Sequence, residues 1–496
     1  MISSLRTASL LALFAPVLAL AQNASTTPGA PLSLEESVAR ALDHNFTLRI
    51  QQFATESAAA AIDIADADYD PGISVTASKS VRQSAQPSSV LDGVTAQGPR
   101  NENSNVRFGA SQKITTGATI QAGANLLRNE TNSTNALLNP AYNSDVSLSV
   151  SQPLLRGFGG EYNRAAIRRA RIGLERAQHE FRGSVLDVVR NVEAAYYDLG
   201  FAREQLAVRH FSQSVAEELL AENEAKKETG VATDLDVLQA QVGVANANRN
   251  VLLAEQTVND REDALKALIG EFEFDGELGN VSIDDEVAIP EISFARSYNL
   301  ARQNRPDYAA AAAGIEQLRI DAKTAKLNRR PTLDLGAGVG YNSIEPTASD
   351  ATSNVWKGDG YSWQMDLSLN MPWGFRAEKA RYAQAVAALN REETRLNQID
   401  QNIMVDVRAA VRAVETNTES LRISKLATSL SAEQFDLEKA RFDAGLSTFR
   451  RVQEAQEDLD EARVNEIQAV VALRIALSDL ARLEGSSLAR YSIELE

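Results

Sequence analysis

The sequence has 496 residues, with 50 Lys and Arg against 67 Asp and Glu, which gives a formal net charge of −17 at pH 7. A chain this acidic lacks the basic surface with which proteins bind DNA or RNA, so we expect no nucleic-acid partner. It contains no cysteine and only three histidines. Disulfides, thiolate metal sites and cysteine nucleophiles are therefore excluded, and we expect neither a metal nor another cofactor.

The N-terminus has the pattern of a secretory signal peptide. Arg6 supplies the positive charge, residues 10–20 form an apolar stretch, and residues 19–21 (Ala-Leu-Ala) fit a small-x-small cleavage site. No later segment reaches about 18 consecutive apolar residues. The sequence therefore predicts a signal peptide over 1–21, a linker over 22–32, and an exported chain without a transmembrane helix.

Two long stretches, 154–289 and 373–496, contain no proline. Proline inside a helix costs about 3 kcal/mol, so long helices are confined to these stretches. Apolar residues recur there every three or four positions, which predicts helices with coiled-coil-type seams, including one continuous helix over 160–228. The seam positions are Val185, Val188, Val192, Ala195, Leu199, Ala202 and Leu206 in the first stretch, and Ile403, Val407, Ala410, Val414 and Leu421 in the second.

Segments of alternating apolar and polar residues lie between the prolines. This period of two predicts β-strands with one apolar face. The first half of the chain has four such segments, and the second half has two within 331–372. The four segments are 71–82, 104–114, 118–128 and 145–153.

The two halves of the chain repeat. Shifted along the sequence, residues 164–270 match 379–485 without a gap, and the upstream segments follow the same order of helices and strands. The match includes a turn between two helices, in which glycine suits a left-handed C-terminal cap and threonine suits the following N-cap. The predicted cap residues are Gly230, Gly445, Thr233 and Thr448.

We therefore predict two structural repeats, 33–284 and 285–496. Each repeat contains helices, strands and a long helical hairpin. The strands are expected at about 71–153 and 331–372, and the hairpins at 160–270 and 375–485.

Over about 32–485, the chain resembles the TolC-type outer-membrane efflux proteins. The resemblance is carried by the opening helix at 34–45 (LEESVARALDHN), the strand-to-helix junction at 151–157 (SQPLLRG), and the turns that begin at Gly230 and Gly445. It implies an α+β membrane protein and a homotrimer. In that trimer an outer-membrane β-barrel, shared between the subunits, continues into a long periplasmic α-helical coiled-coil barrel.

The number of strands departs from the family pattern. The resemblance implies two strands in each repeat and twelve in the barrel, whereas the first repeat here has four predicted strands. Either the barrel is larger than twelve strands, or the additional hairpin lies outside it.

The resemblance implies an exit duct that passively conducts substrates across the periplasm and the outer membrane for a tripartite efflux or secretion system. The implied partners are two further copies of the chain, outer-membrane lipid, a periplasmic adaptor (membrane fusion) protein and, through the adaptor, an inner-membrane transporter. No enzyme is expected, since the sequence has no GxSxG elbow or other nucleophile setting. The alternative is a trimeric coiled-coil surface scaffold or adhesin without a conducting lumen.

The resemblance also places a gate at the hairpin tips. In the family, carboxylates six and nine residues after the second tip glycine constrict the tunnel, and these positions hold Arg451 and Glu454 here. Their counterparts in the first repeat are Asp236 and Gln239, so these four residues are the gate candidates. Arg451 either pairs with Asp236 or Glu454 to hold the entrance closed, or is a solvated surface charge.

The tips are also the candidates for contact with the adaptor. For Lys226 and its neighbour Lys227, the alternative is that they complement the C-terminal end of the helix dipole. The tip candidates are Lys226, Gly230, Val231, Ala232, Arg441, Gly445, Leu446 and Ser447.

Overall fold

The computed structural model describes residues 32–86, 92–94, 98–230, 233–270, 278–279, 281, 287 and 291–493. The predicted signal peptide and the tip residues Val231 and Ala232 lie outside the described residues. The chain divides into two units. Unit 1 comprises Met1–Arg49, Val185–Ala301 and Asp406–Glu496, and unit 2 comprises Ile50–Ser184 and Arg302–Val405.

Helices and strands account for most of the described chain. The helices are α1 (Leu34–His44), α2 (Phe46–Asp66), α3 (Gly160–Asn163), α4 (Ala165–Glu228), α5 (Asp234–Ile269), α6 (Phe294–Asn304), α7 (Pro306–Leu327), α8 (Ala348–Asn354), α9 (Arg376–Asp443), α10 (Phe449–Glu484) and α11 (Ser487–Arg490). The strands are β1 (Gly72–Gln83), β2 (Arg100–Lys113), β3 (Thr119–Thr131), β4 (Ala141–Pro153), β5 (Thr332–Glu345) and β6 (Gly360–Asn370).

All six strands form one antiparallel sheet in unit 2, in the order β1-β2-β3-β4-β5-β6. The additional hairpin of the first half is therefore part of the same sheet as the other strands. The strands are longer than predicted, since β2 begins at Arg100 instead of 104 and β4 at Ala141 instead of 145. The extra residues are mostly polar, so backbone pairing continues beyond the point where the apolar alternation ends.

The long helices of unit 1 pack through the predicted seams. Val188, Val192 and Leu199 of α4 are buried, as are Val407 and Val414 of α9. A charged contact reinforces this packing, because the guanidinium group of Arg190 in α4 donates to both carboxylate oxygens of Asp479 in α10, at 2.6 and 3.3 Å. Burial of apolar seam residues supplies the main stabilisation of such helices.

Helix packing in unit 2 is also fixed by polar contacts. Arg169 of α4 pairs with Asp321 of α7 at 2.7 Å, and the Tyr162 hydroxyl donates to the Asn328 side chain at 2.9 Å. Within the described ranges, no helix combines the length and the apolar character that a membrane crossing requires.

Candidate gate at the helical hairpin tips

The first hairpin, formed by α4 and α5, turns through a glycine cap and a capping box. Gly230 has φ +79°, and its N–H donates to the Lys227 carbonyl oxygen at 2.9 Å. Glycine adopts this left-handed conformation without the steric cost that a side chain would add. The Thr233 hydroxyl accepts from the Asp236 N–H at 3.3 Å, and the Asp236 carboxylate accepts from the Thr233 N–H at 2.8 Å. Both predicted caps of this turn are confirmed.

The capping box engages the gate candidate Asp236. Its carboxylate also accepts a hydrogen bond from the Thr233 hydroxyl at 2.7 Å, and this bond, followed by the one from the Thr233 N–H, lowers the pKa of Asp236. Asp234, two residues before Asp236, pairs with Lys227 across the turn at 2.7 Å. Gln239 is exposed on α5. Asp236 is therefore ionised and committed to the start of its own helix.

The second hairpin, formed by α9 and α10, turns through a Schellman motif. Gly445 has φ +73°, its N–H donates to the Phe442 carbonyl at 3.0 Å, and the Leu446 N–H donates to the Arg441 carbonyl at 2.8 Å. Thr448 is the N-cap of α10, as predicted, but its side chain makes no capping hydrogen bond. The third helical residue here is Arg451, which has no acceptor to complete a capping box.

Glu438, which the sequence did not single out, connects two of the tip candidates. Its carboxylate accepts a hydrogen bond from the Ser447 hydroxyl and pairs with Arg441 at 3.2 Å. The Ser447 hydrogen bond, followed by the positive charges of Arg441 and Arg451, lowers the pKa of Glu438. Glu438 stands three residues before Arg441 on α9, and this helical spacing of opposite charges was the available signal.

In one copy, the expected partners of Arg451 are engaged by other residues. Glu454 pairs with Arg450 at 2.9 Å, one turn away on the same helix, and Asp236 is bonded to Thr233. Among the described residues of one chain, Arg451 forms an ion pair with neither Glu454 nor Asp236. Arg451 is instead an exposed cation near Glu438.

Lys226 connects the two hairpins. Its ammonium nitrogen lies 3.6 Å from the centroid of the Phe442 ring and pairs with Glu222 at 2.7 Å. A cation over an aromatic face is attracted by the ring quadrupole, more strongly where water is displaced. In the sequence repeat, Phe442 occupies the position that Lys227 holds in the first half. An aromatic residue at the end of a highly charged helix was therefore the sequence feature that could have indicated this contact.

Phe442 belongs to an apolar cluster behind the tips. The cluster joins residues of α4, α9 and α10, so it holds the ends of the two hairpins together. An ion pair between Lys439 of α9 and Glu218 of α4, at 3.3 Å, also joins two of these helices. The buried members of the cluster are Val215, Leu219, Phe435, Phe442, Val452, Ala455 and Leu459.

Comparison with known proteins agrees with this architecture. The chain is 26% identical over 336 residues to the pyoverdine export outer membrane protein OpmQ of Pseudomonas aeruginosa, and the match covers 66% of this chain and 65% of OpmQ. It therefore spans slightly less than two thirds of that relative. It is 21% identical over 323 residues to the outer membrane protein TolC of Vibrio cholerae, covering 62% of this chain and 70% of TolC. The solved outer-membrane channel OprN shares the fold, with a TM-score of 0.69, 17% identity and 93% coverage of both chains.

The family assignment follows from a sequence profile. The profile of the outer membrane efflux protein family matches residues 113–271 and 297–486, which is more than half of the chain. This match confirms the resemblance found in the sequence. The chain therefore belongs to the outer membrane efflux protein family and is a protein of the outer membrane.

Proposed function

We propose that this chain is the outer-membrane exit duct of a tripartite efflux or secretion system, built as a homotrimer with a periplasmic helical tunnel. It conducts substrates passively and has no catalytic role. The inner-membrane transporter supplies the energy, and a periplasmic adaptor connects the two. Family membership supports the proposal, and the contrast between the two faces of the sheet carries it.

Around Val75, one face of the sheet is apolar and the other is polar. Successive residues of a strand point to opposite faces, so two neighbouring rows across the sheet display both. The row through Val75 consists of Val75, Phe108, Ala124, Val146, Tyr341 and Tyr361. The next row, on the opposite face, consists of Ser74, Gly109, Gly123, Ser147, Gly340 and Ser362. An apolar face suits lipid and a polar face suits a water-filled lumen.

A second apolar surface supports the assembly of several copies. Leu252 and Leu253 of α5 are 65% and 55% exposed, and Leu426 and Leu430 of α9 are 55% and 57% exposed. Leu426 and Leu430 lie one turn apart on α9, and exposed apolar residues that share a helix face favour packing against further helices. In the proposed trimer, the internal repeats place these surfaces against neighbouring copies, which close the helical tunnel.

We place the gate at the two hairpin tips. Asp236 and Arg451 are the third residues of α5 and α10, and Gln239 and Glu454 are the sixth residues. Because Arg450 pairs with Glu454, and the ionised Asp236 is matched by one Arg451 in each copy, the gate positions carry no net negative charge. The proposed entrance therefore does not favour cations.

The adaptor contact is proposed at the same turns. Lys226 is already engaged by Glu222 and Phe442. Its main role is therefore to connect the two hairpins, and it contributes less to adaptor binding. Leu446 is 73% exposed at the second tip and is the apolar side chain best placed for a partner. Gly230, Val231, Ala232, Arg441, Gly445 and Ser447 complete the proposed contact, with Val231 and Ala232 outside the described residues.

Single-channel conductance in a planar bilayer tests the duct. The purified oligomer is expected to give small, long-lived steps, and the Phe442→Leu variant, which releases Lys226, is expected to give larger ones. Insertion is verified by protease protection in matched liposomes. The scaffold alternative, which the comparisons do not support, would be favoured by a different result. In that result the unmodified protein and the Phe442→Leu variant both insert, neither gives conductance steps, and neither binds a periplasmic adaptor.

A further inference from the structure

We propose that all six strands of each copy enter one closed barrel, in which β6 of one copy pairs antiparallel with β1 of the next copy. The inference rests on the trimer of the proposed function. Three copies of a six-stranded sheet give a barrel of eighteen strands instead of the twelve implied by the family resemblance.

The free edges of the sheet require a partner. In the described sheet β1 pairs only with β2 and β6 only with β5, so each has one edge without a neighbour. An unpaired edge cannot face lipid, because no water is present there to bind its N–H and C=O groups. Six strands are too few to close on themselves, since the smallest membrane barrels have eight. The edge partner is therefore a second copy of this chain.

The two additional strands, β1 and β2, are integral to the sheet. β2 pairs with β3 without interruption, from Asn101 opposite Thr131 to Lys113 opposite Thr119. A twelve-stranded barrel with β1 and β2 outside it would need β3 as its edge, and β3 would have to give up all of these backbone hydrogen bonds. β1 and nearly all of β2 precede residue 113, where the match to the family profile begins.

The turn between β2 and β3 is fastened at its end of the sheet. The Thr116 carbonyl oxygen accepts from the Gly159 N–H at 2.9 Å and from the Gln152 side chain at 3.3 Å. Gly117 fits here with φ +97°, and a Cβ added to it would lie 2.4 Å from the Gly157 carbonyl oxygen. The β2–β3 hairpin is thus hydrogen-bonded to the strand-to-helix junction at this end of the sheet.

Both faces of the sheet continue through the additional strands. A second apolar row runs through every strand and consists of Ile73, Ala110, Ala122, Leu148, Val339 and Trp363. Apolar residues on the same face of β1 and β2, namely Ile73, Val75 and Phe108, are expected if these strands face lipid within the barrel. They are not expected if the two strands lie outside it in water. Their exposed fractions are 82%, 63% and 54% in the single copy, which is the state expected of lipid-facing residues.

The added strands widen the outer opening. Barrel diameter grows roughly linearly with strand number, so eighteen strands give a bore about one and a half times that of twelve. Barrels of 16–18 strands leave an aqueous channel. The membrane end of this duct therefore accommodates bulkier cargo than a twelve-stranded barrel does.

Disulfide cross-linking tests the edge pairing, and the chain is well suited to it because it has no cysteine. One cysteine replaces a lumen-facing residue of β1 and another a lumen-facing residue of β6, in every combination, since barrel closure staggers the strands. Within one copy the two edges are about 24 Å apart across five strand spacings, and disulfides need Cα atoms within about 7 Å. Any bond formed therefore joins two copies. The positions are Ser74, Thr76, Ser78 and Ser80 in β1, and Ser362, Gln364 and Ser368 in β6.

The matched control moves the first cysteine to β3, at Gln121 or Asn129, against the same positions in β6. We expect covalent trimers on non-reducing gels for at least one β1–β6 pair and none for the β3–β6 pairs. Two results, each in an oligomer with the native mass of three copies, would overturn the eighteen-stranded barrel and leave the duct intact. One is cross-linking of the β3–β6 pairs, and the other is no cross-linking of either the β1–β6 or the β3–β6 pairs. β1–β6 cross-links in an oligomer that carries no current would instead retain the edge pairing and reject the duct.

Discussion

The ammonium nitrogen of Lys226 lies 3.6 Å from the centroid of the Phe442 ring, and these two residues stand at the ends of α4 and α9. The contact joins the first hairpin to the second close to both turns. Phe442 is also buried among apolar residues of α4 and α10. The tips are therefore tied to each other within one copy, and separating them requires breaking this contact.

Loss of the Phe442 ring is expected to loosen the tips. In a double-mutant cycle with Phe442→Leu and Lys226→Met, we expect a coupling of about 1 kcal/mol, the size of a partly desolvated cation–π contact. The readout is amide hydrogen exchange across 435–445, where local opening should increase. Phe435→Leu is the matched control, since Phe435 lies in the same buried cluster. Equal coupling of Lys226→Met with both variants would contradict a specific contact.

Replacing Asp460 by Asn is expected to stabilise the protein at neutral pH. Asp460 of α10 is buried, accepts from the Ser212 hydroxyl, and accepts from the Gln456 amide at 2.8 Å. Burial raises the pKa of Asp460. Stability that depends on its protonation is therefore present at low pH and lost as pH rises from the ordinary Asp pKa through the raised one.

The advantage of Asp460→Asn should accordingly be greatest at pH 7 and disappear near pH 4. The new amide can donate to Gln456 Oε1 once that side chain turns over, and this oxygen has no hydrogen-bond partner in the described structure. Melting temperatures at the two pH values provide the measurement, with Asp458→Asn on the exposed face of the same helix as the control. A gain that is independent of pH would argue against a raised pKa.

The charge of Arg451 is expected to set ion preference at the entrance. Arg451→Glu reverses an exposed charge in every copy, so the ratio of K⁺ to Cl⁻ permeability should rise several-fold. The measurement is the reversal potential of single channels under a KCl gradient. Arg450→Gln, which frees Glu454 from its partner, should shift the potential in the same direction by less. An unchanged potential in both variants would remove Arg451 from the proposed gate.

The hydroxyl of Tyr491 is expected to matter more than that of Tyr196. Tyr491 donates to the carboxylate of the buried Glu193 at 2.5 Å, whereas Tyr196 donates to the neutral Leu32 carbonyl at 3.1 Å. Hydrogen bonds to charged groups contribute about 1.5–3 kcal/mol and neutral ones about 1 kcal/mol. Tyr491→Phe should therefore lower the melting temperature more than Tyr196→Phe, and the reverse order would show that Glu193 does not depend on Tyr491.

Local features of the fold were predictable, and contacts between distant elements were not. Gly230, Gly445 and Thr233 stand at turns whose chemistry depends on neighbouring residues, so sequence sufficed for them. The seams and strand segments follow from periodicity, although the polar ends of β2 and β4 lack that signal. Contacts such as Lys226 with Phe442 depend on two helices meeting in space, which no local pattern encodes.

The row of serine and glycine across the sheet has a consequence for what leaves the cell. From Ser74 to Ser362, no side chain in this row is larger than a hydroxymethyl group, and none carries a charge. Along this ring, a passing molecule meets hydroxyls and backbone in place of fixed charges. A neighbouring row of the same face, two residues along each strand, carries Arg107 and Asp145. The serine and glycine ring therefore adds no selection by charge, and any such selection within the barrel belongs to the charged rows beside it.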